Sequence, residues 1–110
     1  MSRPINRMPA VHPGEVLRED YLVPLEMSRN ALAMALGVPT TRIHEIVNER
    51  RAITADTAER LARYFGGDAA SWLALQAMYD LKTLPTRQEI IRTVHRRTGK
   101  QNQMVGAMPA

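Results

Sequence analysis

Thr40, Thr41, Arg42 and Glu45 lie close together in the chain and carry side chains that can read the edge of a base pair. A threonine hydroxyl donates or accepts, and its methyl can touch thymine. An arginine can donate two parallel bonds to guanine, and a glutamate can accept from the cytosine amine. Around them stand groups suited to phosphate oxygens, which ask for donors without sequence preference. These are Arg29, Asn48, Arg50 and Arg51.

Those eight residues need a scaffold, and the stretch from Ser28 to Arg51 supplies one. Ser28 is a good cap for a helix from Arg29 to Leu36. Gly37 suits the left-handed position after that helix, and Val38-Pro39 turn the chain. Thr40 is expected to cap a further helix to about Asn48. Ile43, Ile46 and Val47 fall on one face at helical spacing, which leaves Thr41, Arg42 and Glu45 outward. Two short helices joined by a glycine turn are the layout that puts a helix into the major groove of DNA. The same pattern also fits a plain helical hairpin, which is common in all-α proteins.

The surrounding sequence reads as more short helices. Pro13 to about Val23 forms a first helix, with Val16, Leu17, Tyr21 and Leu25 expected inside and Pro24 at its end. Thr54 caps a helix to Phe65, where Ala58, Leu61, Ala62 and Phe65 share one face and Gly66-Gly67 stop the run. Asp68 caps another through about Leu81, with Trp72 as a core anchor and Leu73, Leu75 and Tyr79 available beside it. Thr86 to Glu89 reads as a capping box for a weaker sixth helix to about Arg97, with Ile90, Ile91 and Val94 as its apolar stripe. No strand pattern or internal repeat is legible. The expected fold is all-α, a compact five-helix bundle with a sixth C-terminal helix. Residues 1–11 are expected to be a flexible arm, 12–84 the domain, and 85–110 a basic extension that is partly helical and then disordered from Gly99.

The chain has 110 residues and a net charge of +4. Residues 28–53 hold four arginines against two acids, and 85–110 hold five bases against one. A basic patch of this kind suits contact with phosphate, although a solvated surface explains a small excess equally well. There is no cysteine, so disulfides, thiolate nucleophiles and cysteine metal sites are excluded. A cytoplasmic location agrees with that. No signal peptide and no membrane span are expected.

Other candidate chemistry falls away. His44-Glu45 resembles half of a zinc-protease motif, but Asn48 stands where the second histidine is needed. Gly66-Gly67 starts no phosphate loop. Glu15, Glu19 and Asp20 read as a solvated helix face, or as a surface for a basic partner. Arg92, Arg96, Arg97 and Lys100 read as a solubilising tail, or as a further contact to DNA or to a protein partner. No catalytic residue, metal site or cofactor is expected, and an enzyme is the least favoured class.

The segment GVPTTRIHEIVNERRAITADTAERLARYFG resembles the Xre/Cro-like helix-turn-helix family, whose recognition helix commonly ends in Asn-Gly-basic. The resemblance sharpens over residues 12–81. The HPGE opening, the NERR-x-ITADTA-x-RLARYFG block and the W-L-x-L-Q-x-x-YDL ending are together similar to HigA-type antitoxins of the VapI branch. The resemblance implies a lambda repressor-like fold and a homodimer bound to double-stranded operator DNA ahead of its own operon. It also implies capture of a HigB-type toxin, a small messenger-RNA-cleaving enzyme. By position, DNA contacts fall on Arg29, Thr40, Thr41, Arg42, Glu45, Asn48 and Arg50. Glu49 departs from the pattern, because it stands where glycine is common; a differently shaped turn is expected there. Two other readings remain: a solitary transcriptional regulator with no toxin, and a helical protein-interaction module.

Overall fold

In the computed structural model, which describes residues 9–98, the first helix starts behind His12. The imidazole Nδ1 accepts the Gly14 N–H at 2.8 Å, so a histidine does the work usually left to serine or aspartate. This helix, α1, runs through Pro13–Val16, Leu17–Leu22 and Val23–Leu25, and its middle stretch is a π-helix. The Val23 N–H reaches back five residues to Arg18. Pro24 follows at once; it has no N–H to give and its ring crowds the preceding turn. The wide turn explains a correction to the expected core. Leu17 and Leu22 are buried, while Leu25 is 58% exposed. An α-helical repeat from Leu17 points to Tyr21 and Leu25, but a π turn advances the inner face by one residue. Tyr21 is half-buried and stacks on Phe65 and Trp72, with ring centroids at 4.6 and 5.4 Å.

α2 is Arg29–Leu36, and Ser28 Oγ accepts the Ala31 N–H at 3.0 Å. α3 is Thr40–Val47. α4 is Ala55–Phe65, capped by Thr54, and α5 is Ala69–Lys82, capped by Asp68. α6, Arg87–Thr93, is shorter than expected. Thr86 makes no capping bond there, so the expected capping box does not form. Ile90, Ile91 and Val94 are all exposed. Every regular element among the described residues is helical, as expected. No helix among the described residues is long and apolar enough to cross a membrane. The arm expected over 1–11 lies outside the described residues except for 9–11, and so does the disordered end expected from Gly99.

Leu17, Leu32, Ile43, Ile46, Val47 and Leu61 form the centre of the core and have no exposed surface. Each buried aliphatic side chain of this size contributes about 1.5–3 kcal/mol. Half of that set belongs to α3, so the helix that carries the candidate base readers is also the most deeply seated. Trp72 and Ile53 belong to the same cluster. Gln76, a buried polar residue, accepts the Ile53 N–H at 2.8 Å and donates to Asp80 at 2.9 Å. It thereby satisfies the backbone of the loop that leaves α3, and sequence alone gave no sign of that role.

Candidate nucleic-acid interface

Ile43, Ile46 and Val47 anchor α3, and Thr40, Thr41 and Glu45 are exposed on its other side. The turn that delivers α3 is a Schellman motif. Gly37 is left-handed at φ 70°, and Val38 N–H donates to the Ala33 carbonyl at 3.0 Å. Pro39 takes the N-cap position, so Thr40 is the first helical residue and not the cap that sequence suggested. The chain leaves the Schellman turn already extended through Pro39, and the helix starts directly after it.

α3 is pinned at its far end too. Gly14 of α1 packs on the backbone of α3; a Cβ at Gly14 would lie 1.7 Å from the Ile46 carbonyl oxygen. Arg18 Nη1 donates to the Val47 carbonyl at 2.7 Å, one of the last carbonyls of a helix that have no partner within it. Arg18 also meets Glu49 at 3.4 Å and Glu19 at 2.9 Å. Sequence reasoning missed Arg18, because its partner lies on a distant element and no local spacing marks it.

The turn after α3 corrects another expectation. Glu49 is left-handed at φ 62°, and Arg50 N–H donates to the Glu45 carbonyl at 2.8 Å. This is the same Schellman turn that a glycine makes. Glutamate changes the cost of the turn and not its shape.

The eight expected contact residues all lie on α2, α3 and the following loop, and several pair with each other. Arg29 Nη1 donates to Asn48 Oδ1 at 3.0 Å. Arg51 meets Glu45 at 3.3 Å. Arg42 is half-buried and meets Asp56, at the start of α4, at 2.7 Å. Arg50 is exposed. His44 and Asn30, which are not in the expected set, share a hydrogen bond at 3.2 Å that joins α3 to α2. Asp56 accepts from Arg60 as well as Arg42, and the two guanidinium groups hold its carboxyl below the ordinary range. No cluster of histidine and acidic residues suited to a metal ion occurs among the described residues.

A helix-turn-helix family model matches residues 17–72. That span runs from the core of α1 to Trp72 and includes both helices of the hairpin. The chain belongs to the Xre-like helix-turn-helix family, in the branch of the HigA-type antitoxins. Virulence-associated protein I of Dichelobacter nodosus is 58% identical over 89 residues, covering 81% of this chain and 82% of that protein. An addiction module antidote protein of the HigA family from Coxiella burnetii is similar at 42% identity. Its TM-score is 0.78, with 82% of this chain and 100% of that one covered. The antitoxin HigA of Pseudomonas aeruginosa, solved with the higBA promoter, is 38% identical with a TM-score of 0.79. There the match covers 82% of this chain and all of the other. In this helix-turn-helix protein α2 is therefore the supporting helix and α3 the recognition helix.

Proposed function

We propose that this chain is the antitoxin of a type II toxin–antitoxin pair. It binds operator DNA ahead of its own operon as an autorepressor and neutralises a HigB-type ribonuclease toxin. The observation that carries the reading is the outward face of α3. That face is rigidly seated by Gly14, Arg18 and the buried Ile43, Ile46 and Val47, in a fold shared with a HigA antitoxin solved on promoter DNA. Thr40, Thr41, Arg42 and Glu45 read bases. Arg29, Asn48, Arg50 and Arg51 hold phosphates, so Arg29 and Arg51 exchange their present partners for DNA oxygens. The protein acts as a homodimer, with two recognition helices in successive major grooves about 34–36 Å apart on a palindromic site. Residues 12–84 form the DNA-binding domain, and 85–110 are an extension to it. The protein works in the cytoplasm, by binding and not by catalysis, and needs no metal or cofactor.

Binding to the DNA upstream of its own gene, measured against a shuffled duplex, tests the DNA half. Arg42→Ala is expected to lower the preference for the operator by about 5- to 100-fold. Arg50→Ala is expected to weaken both duplexes alike and to flatten the salt dependence by about one phosphate contact. Equal binding of the intact protein to both duplexes would overturn the repressor reading. Co-expression with the neighbouring reading frame tests the toxin half. A stable complex that suppresses messenger cleavage is expected; failure to associate would leave a solitary regulator.

A further inference from the structure

Arg42 does not stand alone on the recognition helix. Its Nη1 donates to Asp56 Oδ2 at 2.7 Å. The same oxygen accepts Arg60 Nε at 2.9 Å, and Arg60 Nη1 donates to the Leu36 carbonyl at 2.8 Å. A chain of charge-assisted bonds therefore runs from the last turn of α2, across α4, to the base-reading arginine of α3. Asp56 is the second residue of α4, where the positive end of the helix also favours its charge.

Exposed ion pairs contribute little to stability as a rule, so this arrangement calls for another explanation. What sets it apart is position: one partner is a recognition residue, and the other is braced from a second element. An arginine beside DNA has two kinds of destination. Phosphates are numerous and fully charged, and they carry no sequence information. A guanine edge offers two neutral acceptors, N7 and O6, to a planar fork. A carboxylate next to the arginine repels the first destination and tolerates the second. It can even accept from the cytosine amine of the same pair. Asp56 engages one amino group of Arg42 and leaves the other donors of the fork for DNA.

We propose that Asp56 is a specificity-determining residue, which orients Arg42 toward a guanine of a G·C pair and disfavours its use on phosphate. The inference rests on the DNA-reading function above and deepens it.

Fluorescence anisotropy on the operator and on a shuffled duplex tests this, using the full chain, Asp56→Asn, Arg42→Ala and the double variant across a salt series. Asp56→Asn is expected to lower the operator-to-shuffled ratio by about tenfold. Most of the change should come from tighter binding to the shuffled duplex, with a salt slope steeper by about 0.9 for the added phosphate contact. In the Arg42→Ala background the same substitution should change the ratio less than about twofold, because the group it steers is gone. Arg60→Gln, which removes the brace and leaves the Asp56 charge, should lower the ratio partway, by about threefold. An Asp56→Asn ratio equal to that of the unmodified chain overturns the inference while leaving the DNA-reading function standing. So does an equal effect with and without Arg42. An unmodified chain that does not discriminate overturns both.

Discussion

Arg18 of α1 donates its Nη1 hydrogen to the main-chain oxygen of Val47, the last residue of the recognition helix, at 2.7 Å. An arginine that is itself no candidate for DNA contact thereby completes the helix that is. The positive guanidinium also sits at the negative end of the α3 dipole.

Arg18→Met keeps the aliphatic stem and removes the donors. Val47 has no exposed surface, so its carbonyl is left without a partner except for water entering the space the guanidinium vacates. A destabilisation of about 1–2 kcal/mol is expected in urea denaturation. The salt slope of DNA binding should not change, since the donors of Arg18 are engaged within the protein. A flatter slope would place Arg18 on phosphate instead.

Gly14→Ala tests the contact between α1 and α3 from the other end. The new Cβ would meet the Ile46 carbonyl at 1.7 Å, and no rotamer relieves a clash between two backbones. Displacing one helix is the only remedy, so the cost should reach the upper range for overpacking, about 3 kcal/mol. Operator affinity should fall with it because α3 is the helix that moves. A folded Gly14→Ala protein with unchanged stability would contradict the packing described here.

Much of this was legible because the signals are local. Ser28, Thr54 and Asp68 cap the helices they were expected to cap. Gly37 takes the left-handed turn, and the buried face of α3 follows the 3.6-residue repeat. Local rules failed where a distant element decides. The π turn moves Leu25 out and Leu22 in. His12, a residue type that carries no ordinary capping signal, is the cap of α1. The bond from Arg18 to Val47 spans 29 residues, that from Ile53 to Gln76 spans 23, and that from Arg42 to Asp56 spans 14. No helical periodicity reports such pairs. All eight candidate contact residues do come together on one segment, since one hairpin carries them all.

Glu49 and Glu26 allow a paired test of backbone cost against charge. Both are left-handed, at φ 62° and 52°, and both end helices with the same turn. A left-handed glutamate costs about 1–2 kcal/mol relative to glycine, and the greater freedom of an unfolded glycine returns about 0.5–1 kcal/mol of that. Each Glu→Gly variant should therefore lie between unchanged and about 1.5 kcal/mol more stable. Only Glu49 lies beside Arg50 and Arg51. Glu49→Gly should tighten DNA binding at low salt, and Glu26→Gly should not. Equal DNA effects from both would remove the charge explanation.

His12 gives the domain a pH dependence whose sign can be worked out. The ring is 3% exposed and packs edge-on to Tyr79, with centroids 4.8 Å apart. Its Nδ1 accepts the Gly14 N–H, so the capping form is the neutral ring with its hydrogen on Nε2. Burial lowers its pKa from 6.5, against the opposite pull of Glu49 and Asp80. The unfolded chain takes up this proton near 6.5, and the folded chain only at lower pH. The stabilisation is thus fully present above 6.5 and is lost as pH falls through the lower folded value. Asp56 titrates in a separate window, because its pKa is lowered from 3.8. Urea midpoints for the unmodified protein should fall between about pH 7.5 and pH 5.5. His12→Asn retains a capping side chain without a titrating ring, and its midpoint should stay nearly level over the same range. A parallel decline in both proteins would assign the dependence to groups other than His12.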